Sequence, residues 1–227
     1  MPRPRNQAQR RSDLIAATQN AVARRGLHQV RLRDVADEAG LTPGAVLYYY
    51  DGLDELFFAV YERGIDRFCR EREEAVAGLQ DPAAQLATAI HLGIPADAND
   101  TDVRLLYEFE AIAFRNPACA ELMHAYVERQ VAMYAAILED GVGIGVFQLA
   151  ADARTIARNI VGLEDGHGVY VLTGHSRPAD VEQLVLAYAT GATGLDVAEL
   201  SALRSPRVRG SSAPESPSGA ARPSQRS

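Results

Sequence analysis

The chain has 227 residues, a net charge of −7 and a hydrophobic share of 47%, and its 23 basic residues are all arginine. That length suits one large or two small domains, with enough apolar content to bury a core. The arginine-rich, polar N-terminus is unlike a secretory leader, and no apolar run is long enough to span a bilayer. These features argue against a membrane protein and place the chain in the cytoplasm.

Charge is unevenly placed: residues 1–50 carry a net +4, residues 51–200 a net −15 and residues 201–227 a net +4. A basic head on an acidic body fits one part that meets phosphate and one that does not. Ala- and Leu-rich stretches with few β-branched runs predict an all-α protein. Residues 1–11 read as a basic flexible arm. A first helix starts near Ser12 and closes at Gly26. A second spans RLRDVADEA, its stripe made of Leu32, Val35, Ala36 and Ala39, and stops at Gly40. Thr42 caps a third, with Pro43 at its first position, where the missing N–H costs nothing. Asp51-Gly52 breaks it, and a linking helix covers residues 53–78. Residues 79–203 carry the remaining helices: one to about Leu92, then VRLLYEFEAIAFR, one from Pro117 to Asp140, and two amphipathic helices after the glycine-rich turn GVGIGVFQLA. Residues 204–227, rich in Ser, Pro, Gly and Arg, read as a disordered tail.

Chemistry-bearing motifs are scarce. HExxH, GxSxG and Walker patterns do not occur, and the five histidines stand at no metal-ligand spacing. Cys69 and Cys119 read as buried free thiols. The expectation is a protein that is not an enzyme and needs neither metal nor cofactor. What the sequence does contain is RDVADEAGLTPGAVLYYY, a helix-turn-helix candidate within residues 12–52. Ala36 is small where the two helices cross, Gly40 makes the turn, and Val46 plugs the reading helix from behind. The nose of that helix, Thr42, Pro43, Gly44 and Ala45, offers a hydroxyl and small apolar groups to base edges. Tyr48 follows one turn later. Arg31 and Arg33 are placed for phosphate or guanine.

RDVADEAGLTPGAVLYYYDGLDEL resembles, without a gap, the DNA-binding signature of the TetR family of transcriptional regulators. The resemblance implies an N-terminal three-helix DNA-binding domain and a C-terminal helical ligand-binding and dimerisation domain. It aligns Tyr49 with a phosphate contact and Tyr50 with a buried aromatic. Leu47 and Leu53 depart from the family, standing where a tyrosine and a lysine commonly touch DNA. Arg31, Arg33 and the arm residues Arg3, Arg5, Arg10 and Arg11 are candidates to compensate. The resemblance further implies a homodimer formed by the last two helices, for which Ile160, Leu163, His167, Tyr170, Val181, Leu184, Val185 and Tyr188 are candidates. It implies a pocket among the middle helices. Tyr107, Glu108, Phe109, Ile112, Met123, Tyr126, Gln130, Met133, Tyr134, Glu164 and Asp165 are the lining expected for a small organic ligand. Glu108, Glu164 or Asp165 offers an acidic spot for a cationic ligand. The plainer alternative is a solvated face, or pairing with Arg154 or Arg158. The expected function is a repressor released from a palindromic operator by its ligand. The alternative is a helical interaction or small-molecule-binding protein without sequence-specific DNA binding.

Overall fold

A helix forms wherever apolar residues recur at three and four positions, and its ends fall where the side chains supply caps. The computed structural model describes residues 4–204, which hold helices and no strand. The first, α1 (Pro4–Arg25), buries Leu14, Ala17, Thr18, Ala21 and Val22 on one stripe. It begins eight residues before Ser12, so residues 4–11, expected as an arm, are helical. Pro4 sits at the first position, and the following Gln, Ala and Arg residues contain no breaker.

In α2 (Leu32–Glu38) the Asp34 carboxylate accepts from the Arg31 N–H at 2.9 Å. Gly40, at φ 63°, then reverses the chain. Its N–H donates to the Asp37 carbonyl at 3.2 Å and that of Leu41 to the Ala36 carbonyl at 2.8 Å. Only a residue without a Cβ takes that left-handed turn cheaply. Five residues make α3 (Pro43–Leu47), and the Thr42 hydroxyl accepts from the Ala45 N–H at 3.2 Å. The expected helix through Tyr50 is therefore shorter, with residues 48–52 in turns.

The 25-residue α4 (Leu53–Ala77) follows, then α5 (Pro82–Gly93), α6 (Thr101–Ala113) and α7 (Pro117–Gly143). After a connector come α8 (Ala153–Leu172), α9 (Pro178–Thr193) and α10 (Val197–Ala202). Asp81, Asp100, Asn116, Asp152 and Asp196 each accept a backbone N–H at a helix start. Such caps contribute about 1 kcal/mol apiece. The connector is pinned: Gln148 and Ala150 donate to the Thr193 and Ala192 carbonyls, each at 2.9 Å. Sequence periodicity missed α10, whose Leu200 is wholly buried. Arg204, expected to open the tail, pairs with Glu182 at 2.8 Å, and the rest of that tail lies outside the described residues.

The apolar interior divides in two. The head cluster joins α1–α3 to the first two-thirds of α4, Leu105, Leu106 and Phe109 of α6, and Tyr126 of α7. The body cluster joins Val76 at the end of α4 to α5, α7 from Val131, α8, α9 and Leu200. On α4 the changeover falls between Cys69 and Val76, and on α7 between Tyr126 and Val131. Between those positions both helices turn a polar residue inward, Arg72 and Gln130. Arg72 meets Glu164 of α8 at 3.2 Å, and each is only 2% exposed. Removing one partner strands the other charge. Glu164→Leu is therefore expected to cost about 3–5 kcal/mol, and the joint change Arg72→Met with Glu164→Leu close to nothing. Urea unfolding of both variants measures the difference.

Candidate functional site

The head presents a surface built by local rules. Ala36 and Val46 are fully buried, as a close helix crossing and a plug require. Arg31, Arg33, Thr42, Pro43 and Gly44 are exposed, Ala45 half-buried. Tyr48 is 64% exposed, and its ring stands edge-on to that of Tyr49 at 5.0 Å. Tyr49 is half-buried against the head core, and Tyr50 is buried, its hydroxyl donating to the Arg11 carbonyl at 3.2 Å. The three consecutive tyrosines thus divide between solvent, rim and core.

Two expectations change here. Leu47 is 51% exposed beside Tyr48, so the reading helix carries an apolar group at its open end. It belongs among the candidate contacts, since an exposed branched side chain can meet a thymine methyl. Arg11, expected as part of a mobile arm, is instead committed within the head. It donates to the Tyr49 carbonyl at 2.5 Å, pairs with Glu55 at 3.2 Å and lies 4.1 Å over the Tyr50 ring. Arg10 is paired with Asp13 at 3.9 Å. Arg3 and the Arg5 side chain lie outside what the structure describes. Leu53, half-buried, packs against the head core.

The expected pocket residues do not gather into one lining. Glu108 faces the α1–α2 turn, in a surface recess with Arg25 and His28. Phe109 stacks in the head core, 5.8 Å from Phe57 and 5.6 Å from Tyr61, with Ile112 packed nearby. Helical register explains Phe109, which forms the buried stripe with Leu105 and Leu106, while Glu108 flanks that stripe and is half-buried. Met123 is half-buried and makes no contact with the cluster at Arg72 among the described interactions.

Gln130, Tyr134 and Glu164 do converge, around an arginine that the sequence reading passed over. Arg72 Nη2 donates to the Tyr134 hydroxyl at 2.8 Å, to the Ala89 carbonyl at 2.9 Å and to both Glu164 oxygens at 3.2 and 3.3 Å. Its Nη1 donates to Gln130 Oε1, and the Tyr134 hydroxyl donates to Glu164 Oε1 at 2.5 Å. Met133, Cys69 and Glu73 border a shallow recess beside it that has no room for a water molecule. The expected partners Arg154 and Arg158 both pair with Glu128 instead. Gly93 leaves room, since a Cβ there would strike both the Glu164 carboxylate and the Arg72 guanidinium.

A second acidic pair adjoins. Burial pushes the Asp165 carboxyl up to about 6, against the pull of Arg72. Burial, aided by Asp165, pushes Glu110 up to about 7. Burial raises Glu164 too, opposed by Arg72 and the Tyr134 hydroxyl. The phenol of Tyr107 donates to the Asp165 carbonyl at 2.9 Å, and Tyr61 and Tyr126 feel the same two acids. The Tyr61 hydroxyl is buried without a hydrogen-bond partner. Glu110 was missed, although it lies three residues after Tyr107 and so on its face. Burial pushes the Cys69 thiol up to about 11, so it stays protonated and inert. Among the described residues no group of His, Cys, Asp or Glu is placed to hold a metal ion.

The outer face of α8 and α9 is open. Tyr170 is 50% and Leu184 39% exposed, with Leu163, His167 and Tyr188 half-buried. A Cβ at Gly162, Gly166 or Gly191 would meet nothing within 4 Å. Ile160, Val181 and Val185, expected at a dimer contact, are spent in the protomer's own core. A helix face buried within one chain cannot also meet a second.

Comparison with known proteins agrees with this division. Residues 14–60 match the model for bacterial regulatory proteins of the tetR family, and residues 82–194 that for the BetI-type transcriptional repressor C-terminal domain. The chain is 24% identical over 181 residues to the HTH-type transcriptional regulator YfiR of Bacillus subtilis, spanning 77% of this chain and 86% of that protein. It is 25% identical over 199 residues to the regulator BetI of Brucella suis, spanning 83% and 91%. A TetR transcription regulator from Haloarcula marismortui superposes with a TM-score of 0.75 at 23% identity, over 82% of this chain and 99% of that one. A transcriptional regulator from Saccharomonospora viridis, solved with choline, gives 0.73 at 22% identity, over 80% and 95%. Two matched models, one on the head and one on the body, assign the chain: it belongs to the TetR family of transcriptional regulators.

Proposed function

We propose that the chain is a ligand-responsive repressor that acts as a homodimer on a palindromic operator. The observation that carries the reading is α4, whose first part belongs to the head core and whose end belongs to the body core. A ligand that alters packing at the seam must alter where the head sits. Two reading helices need to meet successive major grooves about 34–36 Å apart, so a change in head position changes DNA affinity. It does so only if the ligand prefers one arrangement. The relatives are named as HTH-type transcriptional regulators, and nothing favours an interaction module without DNA contact. A DNA-bound role fits a cytoplasmic protein; no described helix is long and apolar enough to cross a membrane.

The ligand is an organic cation, held where Glu110, Glu164 and Asp165 meet Tyr61, Tyr107 and Tyr126. One buried carboxylate, Glu164, and two half-buried ones, Glu110 and Asp165, outnumber the one buried arginine near them. Aromatic faces beside acids are what a cation selects. The choline bound by the Saccharomonospora viridis regulator supports the same class.

Three measurements test this reading. In salt-titrated anisotropy on DNA upstream of its own gene, Arg33→Ala is expected to weaken binding and lower the salt slope by about one. Leu47→Ala is expected to weaken binding at an unchanged slope; a changed slope would mean that Leu47 acts indirectly. For the dimer, Tyr170→Glu with Leu184→Glu is expected to sediment as a monomer and to lose operator binding. For the ligand, choline should bind and its neutral isostere 3,3-dimethylbutan-1-ol should not. Choline affinity should rise with pH as Asp165 and Glu110 ionise near their values of about 6 and 7. Equal binding of the two compounds, or a flat pH profile in calorimetry, would rule the cation site out.

A further inference from the structure

The volume at the seam is too small for the function just proposed. Pockets that take drug-sized ligands have volumes of roughly 300 Å³ and more, whereas the recess at Arg72, bordered by Cys69, Glu73, Arg129, Gln130 and Met133, has no room even for a water molecule. What fills the remaining space is Arg72 itself. Its guanidinium has a carboxylate for a counter-charge, three further oxygen acceptors, and two aromatic rings 5.1 and 5.4 Å from its Cζ, those of Phe68 and Tyr134. Opposite charge, oriented acceptors and aromatic faces are the means by which proteins hold organic cations.

Resting on the reading that this core takes a cation, we propose that Arg72 is the site's resident occupant. Its guanidinium holds the cation subsite in the DNA-binding state, and the effector is an N–H-bearing organic cation, an alkylguanidine or alkylamine, that displaces it. Two atoms argue against a pure bracing role. Arg72 Nε and Gln130 Nε2 are buried without hydrogen-bond partners, on side chains 2% and 3% exposed. A group selected only to brace a core is ordinarily satisfied in full. These loose donors mark a fit that another occupant can better.

The N–H requirement follows from what displacement leaves behind. Once the guanidinium departs, the Ala89 carbonyl, Gln130 Oε1 and the Glu164 carboxylate are buried acceptors facing the vacated space. A quaternary ammonium restores the charge but donates no hydrogen bond. An amine or guanidine restores both. Gly93 keeps the space clear for either occupant. The consequence for DNA follows from the position of Arg72 on α4. It sits between Cys69 of the head cluster and Val76 of the body cluster, so its release uncouples the helix at the changeover.

Calorimetry on the full chain with agmatine and choline as probes tests the exchange. Arg72→Gln vacates the cation subsite and keeps an amide donor for Glu164. It is expected to bind agmatine at least tenfold more tightly than wild type, with a smaller gain for choline. The joint variant Arg72→Met with Glu164→Leu is expected to bind neither. If folded Arg72→Gln binds agmatine as weakly as wild type or more weakly, Arg72 is not a resident occupant. Cation binding by wild type would then leave the ligand reading standing. If choline gains as much as agmatine, the N–H requirement is wrong. If no variant binds either probe, the cation reading fails and the exchange with it. A measurement on wild type is independent of variant folding. In arginine-labelled protein, the protected Arg72 side-chain N–H resonance should be lost on agmatine saturation, and its persistence would overturn the proposal.

Discussion

A charge pair buried at 2% exposure ties the two halves of this protein together. Taking a guanidinium and a carboxylate out of water costs several kcal/mol per ion, and attraction alone does not reliably offset that. Here the offset comes from neighbours on three other helices. Arg72 of α4 reaches the Ala89 carbonyl of α5, Gln130 and Tyr134 of α7, and Glu164 of α8. Each of those helices must keep its position for the pair to stay satisfied. Replacing any one contact leaves a buried polar atom unmet, so the cluster behaves as a unit.

The placement of that cluster matters more than its strength. It lies where the head core ends and the body core begins, on both α4 and α7. A continuous apolar core across this boundary would lock head to body without a point of control. A polar seam adapts to a change of occupant by exchanging hydrogen bonds. The head, by contrast, is braced by contacts that have no link to the seam. Arg11 fastens α1 to the turn before α4, and Arg25 holds Asp34 at 3.2 Å. The head core is shared with α6 and α7 as well as α4, so head and body are joined along three helices, and a shift at the seam reaches the head through all of them.

The head was legible because its features are local. A cap at Thr42, a left-handed glycine at Gly40, a small residue at Ala36 and a plug at Val46 each act within a few residues of their own position. Tyr50 was placed inward by its alignment with the family signature, and it is buried. The body was much less so. In α4, Arg72 falls in the run EREEAVAG, which reads as a solvated charged face. The contrary signal was present: Cys69, Arg72 and Val76 continue the stripe begun by Tyr61 and Ile65. On α6 the register puts Glu108 and Glu110 on opposite flanks of the buried stripe, and only the packing decides that Glu110 is the one near Asp165. Residues assigned to a dimer contact failed where one stripe had to choose between two partners, as Ile160 and Val185 did.

By itself the sequence determined the helical class, the three-helix head, the reading helix and the separation of a basic end from an acidic body. These follow from periodicity, capping and charge, which depend on near neighbours along the chain. Only the tertiary structure decided which buried charge meets which, and that Arg72 rather than Arg154 or Arg158 answers Glu164. It also decided that Arg11 serves the fold and that Leu47 stands open. The reason is physical. A helix of four or more turns offers several faces, and sequence spacing says which residues share a face. What that face meets is set by how the other helices pack, through contacts as far apart in the chain as residues 72 and 164.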